Sequence, residues 1–162
     1  MDGFLCVVTF LAALGSALIA GIFFAFSAIL IPALSRLAPA SGIAAMQSIL
    51  VTIKRGPFVL VFFVTALLAV LLGIAAPFRW AEPDALYLLA GSLLYLNGPF
   101  GVTLLRNMPL NNRLAHVKPD GETGAKVWKD YLPAWSWWNH VRVATALAAA
   151  ACLIMALVRQ AA

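Results

Sequence analysis

The sequence predicts an all-α membrane protein: a four-transmembrane-helix bundle, with a short amphipathic interfacial helix between spans one and two and short helices in the loop between spans three and four. Two observations carry that prediction. Hydrophobic residues make up 64% of the 162 and charged residues only 10%, where a soluble domain has about a quarter charged. Four apolar runs also reach the roughly 20 helical residues that cross a bilayer. They lie at about 4–32, 57–76, 85–105 and 138–158, and residues 1–162 leave room for a single domain.

The first run opens Met1-Asp2-Gly3, with no basic segment before it, and is longer than the apolar part of a signal peptide. It reads as a retained helix. Its Ala13, Ala17, Gly21 and Ala25 are four apart, as small residues at a helix contact often are. Next comes "SGIAAMQSILVTIKR". Ser41 is placed to cap a helix. Ile43, Met46, Leu50 and Ile53 share one face, and Gln47, Ser48 and Lys54 depart from it. That pattern suits a helix lying in the membrane interface, with Met46 and Gln47 able to cover a pocket from below.

Gly56-Pro57 starts span two, and Pro77 and Pro83 punctuate its end, since proline begins helices well and continues them badly. Span three contains "YLNGPFG", where Pro99 loosens a turn and Gly98 permits close approach of another backbone or a ligand. The stretch "NMPLNNRLAHV" follows, and Pro109 marks the first turn of a short helix with Asn107 or Met108 near its cap. Span four begins near Trp138. Its Ala144, Ala148, Cys152 and Ala156 form a second row at four-residue spacing. Both rows predict contact with other helices, in the bundle or across a homodimer.

Charge sets the expected topology. Arg36, Lys54 and Arg55 lie between spans one and two, and Arg106, Arg113, Lys118, Lys126 and Lys129 between spans three and four. Only Arg79 and Arg159 fall on the other side. Basic loops stay cytoplasmic, so both long loops are expected inside and both termini outside, in the inner (plasma) membrane of a bacterium. The net charge of +5 therefore reflects topology and attraction to anionic lipid. The basic residues form no dense patch for nucleic acid, and none is expected as a partner. Cys6 and Cys152 sit in apolar runs without metal-ligand spacing, so no metal site is predicted.

Polar groups at membrane depth ask for a role. Asn97 either bridges to a freed carbonyl or offers a donor inside a cavity. Asn139 and Arg142 are three apart, on one face where span four begins. No acidic residue lies within any span, so Arg142 snorkels to the interface or meets carbonyls, asparagines or an anionic ligand group. Trp128, Tyr131, Trp135, Trp137 and Trp138 crowd one segment. Such rings anchor at headgroups or line a slot for a flat aromatic molecule. His140 and His116 are the only histidines. A haem between them would require both to reach one plane, and no cofactor is predicted. "NMPLNNRLAHV" carries a geometric expectation: Asn111 and Arg142 should lie close, around one cytoplasmic-side pocket.

"GIFFAFSAILIPAL", "AMQSI", "NGPFGVTLLRNMPLNNRLA" and "W..YLPAWSWWNHVR" together resemble the DUF1772, or anthrone-oxygenase-like, integral membrane family. The resemblance covers nearly the whole chain. It implies a small four-helix membrane protein and, by analogy with some fungal relatives, oxidation of anthrones by molecular oxygen with no established cofactor. Leu50 and Arg55 stand where relatives carry asparagines. By motif, the resemblance implies roles for Asn107, Pro109, Asn111, Trp128, Trp138, Asn139 and Arg142. With the residue-level reading, the expected catalytic set is His140, Arg142 and Asn139. The expected substrate-binding set is Gln47, Asn97, Asn107, Asn111, Trp128, Trp135 and Trp138. The expected function is a membrane-embedded, cofactor-independent oxygenase acting on a flat phenolic, anthrone-like or other hydrophobic aromatic substrate in a cytoplasmic-side pocket. The alternative is a non-catalytic binder or carrier of a lipid, quinone or haem-like molecule, and a purely structural bundle is a third reading.

Overall fold

A computed structural model describes residues 3–161, and among them the secondary structure is entirely helical. Asp2, in the N-terminal end expected outside, is not among the described residues. Five helices follow in order: α1 (Gly3–Ser35), α2 (Pro39–Arg55), α3 (Pro57–Phe78), α4 (Ala85–Ala115) and α5 (Glu122–Ala161). All but α2 are long and apolar enough to cross a membrane. Their outer faces expose Phe4, Leu60, Ile74, Phe78 and Leu105. So much contiguous apolar surface suits lipid and not water, and the chain is an integral membrane protein. In the bundle α1 packs on α3 and α5, and α4 packs on α3 and α5, which closes a four-membered ring.

Three helices overshoot the expected spans. At about 1.5 Å per residue, α5 alone is roughly 60 Å long, twice the thickness of a bilayer's hydrocarbon core. The C-terminal ends of α1 and α4 and the N-terminal half of α5 lie at the same end, and α2 packs there. They form a head with its own core: Phe26, Ile43, Met46, Leu50, Leu114, Trp128, Tyr131 and Trp135 among others. The expected loop between spans three and four is mostly absent. Met108–Ala115 is the short helix that Pro109 suggested, but it continues span three without a break. The segment 122–137 belongs to α5 itself.

α2 buries Ile43, Met46 and Leu50 as its periodicity required. Its start differs: Ala38 is the N-cap and Pro39 opens the helix, while Ser41 sits exposed inside it. Proline at the first turn already lacks the orphan N–H that a serine cap would satisfy.

The two small-residue rows do not both face inward. Ala17, Gly21 and Ala144 are exposed in the bundle. A strict four-residue step advances about 400° and so drifts about 40° each time around the helix. The buried line alternates threes and fours instead: Ala146, Ala149, Leu153 and Ala156 on α5. Cys6 and Cys152 are both free thiols.

Two stretches are widened to π-helix, Phe26–Leu30 in α1 and Leu96–Asn107 in α4. Ile31 N–H bonds Phe26 O and Met108 N–H bonds Thr103 O, each five residues back. Pro32 and Pro99 sit beside or inside these stretches; each lacks the N–H of an ordinary turn and crowds the carbonyl behind it. Widened turns often mark functional positions.

Candidate functional site

One face of α5 carries the site. Trp128, Tyr131, Trp135, Asn139 and Arg142 follow each other at spacings of three and four, and all five are buried. Their neighbours come from four different segments.

The lower part is aromatic. Trp128 stacks on Tyr131 at 5.6 Å between centroids, and Tyr131 on Trp135 at 6.2 Å. Phe26 tilts against Trp135. Gly42 of α2 lies against Trp128 so closely that a Cβ there would meet the indole. Trp128 and Trp135 thus have their faces covered by protein, and no open slot lies between them.

Above and beside the stack sit the amides. Asn111 Oδ1 accepts from Tyr131 Oη and Trp135 Nε1, each at 2.9 Å. Asn107 Nδ2 donates to Trp135 O at 3.3 Å, and its buried Oδ1 has no hydrogen-bond partner. Asn107 is the N-cap position of Met108–Ala115, but its side chain makes no cap bond there. Gln47 Nε2 donates to Leu114 O and Val117 O, tying α2 to the end of α4 beneath the stack.

At the top lies the polar pair. Asn139 Nδ2 donates to Phe23 O at 2.8 Å and to Ser27 Oγ at 2.7 Å, so it joins α5 to the widened turn of α1. Arg142 Nη2 donates to Asn139 Oδ1 at 2.7 Å, and Nη1 donates to Thr103 Oγ1 at 3.1 Å in the widened part of α4. Arg142 as a whole is 4% exposed. Its guanidinium carbon lies 4.1 Å from the Phe23 ring centroid and 5.1 Å from that of Trp135, where the ring quadrupoles attract the charge. Among the described residues no carboxylate pairs with it, and its Nε is buried without a partner. Arg142 therefore does not snorkel. A buried cation without a counter-ion is costly, and the aromatic faces and two oxygens offset only part of that cost.

Asn111 and Arg142 are linked through one side chain: Trp135 donates to the first and stacks beneath the second. The remaining expected site residues lie elsewhere. His140 is exposed; two residues from Arg142, it points to the far side of α5. Trp138 is half-buried and lies under Arg106 at 4.8 Å. Asn97 is exposed, and its Nδ2 donates to Leu93 O at 2.8 Å. It lines an open groove of about 560 Å³ between α4 and α5, together with Gly98, Val102, Val141 and Thr145. Arg142 is not among the groove's lining residues. Phe23, Ser27 and Thr103 fall inside stretches that carry the family resemblance but are not among the expected site residues. Each is an ordinary apolar or hydroxyl residue of a transmembrane run, and only its neighbours across the bundle give it a part.

The arrangement can hold a negative oxygen. It combines a fixed, desolvated guanidinium with a free N–H, in surroundings of low polarity where such interactions are strong. No curated protein and no solved structure matches the chain. The family model described as anthrone oxygenase matches residues 49–152, well over half of the sequence and a range that includes Asn107, Asn111, Asn139 and Arg142. With that match, the chain belongs to the anthrone oxygenase family.

Proposed function

We propose that this protein is a membrane-embedded oxygenase of flat phenolic, anthrone-like substrates, with Arg142 as the group that stabilises the substrate's anion. The observation that carries the reading is the buried guanidinium, paired with no carboxylate among the described residues and with its Nε unpartnered; family membership supplies the reaction class. An anthrone has an acidic CH₂ opposite its carbonyl. Loss of one proton to water gives an enolate whose oxygen accepts from Arg142; the ring carbon then bonds dioxygen, and the peroxide anion takes a proton back from water. The resulting hydroperoxide loses water to leave a second carbonyl. One anthrone and one O₂ thus give one anthraquinone and one water. Arg142 favours the first step by binding the oxyanion more tightly than the neutral ketone, and Asn139 holds the guanidinium in place. The substrate itself donates the electrons, so the reading requires no cofactor. The excess of Lys and Arg at the end of the bundle where the head lies supports termini outside, in an inner membrane.

The test is oxygen uptake by the purified protein in nanodiscs supplied with an anthrone. Wild type is expected to exceed the buffer rate, and Arg142→Met to lose about 10²–10³-fold, the usual cost of removing an oxyanion donor. Arg142→Lys should recover little, because a point charge lacks the guanidinium fork. Uptake no faster than buffer across several anthrones and hydroquinones would overturn the reading. The open groove beside α4 favours a second reading, a binder or carrier of a quinone-like lipid. It predicts a quinone in the organic extract and no oxygen uptake.

A further inference from the structure

We propose that the groove between α4 and α5 is a lateral binding site, through which an apolar molecule bearing a carbonyl or phenol reaches Arg142 from the bilayer. For the ligand's class the inference rests on the proposed function. Its place rests on three separate observations.

The first is Asn97. It is exposed in the middle of an apolar helix, and a single intrahelical bond to Leu93 O is the only hydrogen bond its amide makes among the described residues. An amide has two donor hydrogens and two acceptor sites. Hydrocarbon cannot meet the others, and leaving them unmet is costly. A lipid tail does not relieve that cost, whereas a ketone or phenol does.

The second is shape. The groove holds about 560 Å³, within the roughly 300–1,000 Å³ of small-molecule sites. Gly98 forms its floor: a Cβ there would overlap the Thr145 side chain, so α4 reaches α5 only because the residue is glycine. The remaining walls are aliphatic, including Leu93, Val102 and Val141. A compact molecule lying in it would present its one polar group to Asn97.

The third is continuity with the charge. Val102 and Val141 line the groove, and the next residues in the chain, Thr103 and Arg142, are hydrogen-bonded to each other. The groove and the guanidinium are thus built on adjacent residues of the same two helices. The widened backbone of α4 carries both Asn97 and Thr103, so one distorted segment shapes the groove and holds the cation's partner.

The experiment uses the full chain in nanodiscs and a fluorescent dihydroxyanthraquinone as probe, with oxygen uptake measured on the same preparations. Wild type is expected to bind saturably. Asn97→Leu should weaken binding about tenfold, the loss of one well-placed hydrogen bond. Leu93→Trp, which fills the groove from an exposed position, should weaken it at least as much. Both sites are exposed, so thermal melts should stay near wild type. Asn97→Gln should recover part of the affinity, which a merely structural role would not predict. Probe binding that ignores both Asn97→Leu and Leu93→Trp overturns the groove, even if oxygen uptake persists. Binding that obeys both variants, with no oxygen uptake by any protein, keeps the groove and overturns the oxygenase reading. Unchanged binding with a shift from dimer to monomer in Asn97→Leu, read by light scattering, would make the groove an interface between copies and also overturn the proposal.

Discussion

Asn139 and Arg142 should behave as one energetic unit, and a double-mutant cycle measures that directly. Asn139 is fully buried and makes three hydrogen bonds, to Phe23 O, to Ser27 Oγ and from Arg142. Hydrogen bonds between membrane helices average about 0.6 kcal/mol and reach about 1.7, and one to a charged group is worth about 1.5–3 kcal/mol. Leucine has as many side-chain heavy atoms as asparagine and, being bulkier, opens no cavity. Asn139→Leu should therefore cost about 3–6 kcal/mol, much of it from a guanidinium left with Thr103 as its one hydrogen-bond acceptor. Arg142→Met removes the same bond and the one to Thr103, but it also removes a charge from a site that desolvates it. Its net effect should stay within about 2 kcal/mol of wild type. In the double variant the stranded charge no longer exists. Its cost should fall below the sum of the two single costs by about 1.5–3 kcal/mol. The assay is equilibrium unfolding in mixed detergent–SDS micelles, followed by circular dichroism. Costs that add to within about 0.5 kcal/mol would refute the coupling, and with it the claim that Asn139 holds the guanidinium.

Two further substitutions probe the ends of the molecule. Asn111→Leu leaves the Tyr131 hydroxyl and the Trp135 indole N–H without their shared acceptor, and should cost about 2–4 kcal/mol by the same unfolding assay. A variant as stable as wild type would mean that the stack holds Trp135 without Asn111. At the opposite end, Asp84 is buried and accepts from Arg79 at 3.3 Å and from Gln160 at 2.7 Å. Asp84→Leu should loosen the last turns of α5, seen as faster hydrogen exchange near residue 160 with no change near residue 131. Uniform acceleration along α5 would show that the contact supports the whole bundle and not its end.

Much of this was legible in the residues. Four apolar runs gave four membrane helices, because a bilayer imposes length and apolarity on each span separately. The faces of α2 followed from where Ile43, Met46 and Leu50 fall in a 3.6-residue period. The Asn139–Arg142 pair was visible too, since three residues along a helix are neighbours by construction. These are local properties, and sequence records them directly.

What the tertiary structure decided is which partners meet. Asn139 bonds a carbonyl 116 residues away, and nothing about Phe23 announces that its backbone will be the acceptor. The two widened turns set the phase of α1 and α4, and a small change of phase moves Ser27 and Thr103 onto or off the polar pair. Trp128 and Trp135 looked like walls of a slot. They became core because Gly42 lets α2 close over them and because Tyr131, at the right phase, stacks between them. The rows at four-residue spacing drifted off the buried face for the same reason. Sequence alone determined that this chain lives in a membrane and carries a cation at the mouth of its last span. Only the packing of helix phases across the bundle decided that the cation is buried with no carboxylate partner among the described residues, because partner choice depends on distances that no local pattern encodes.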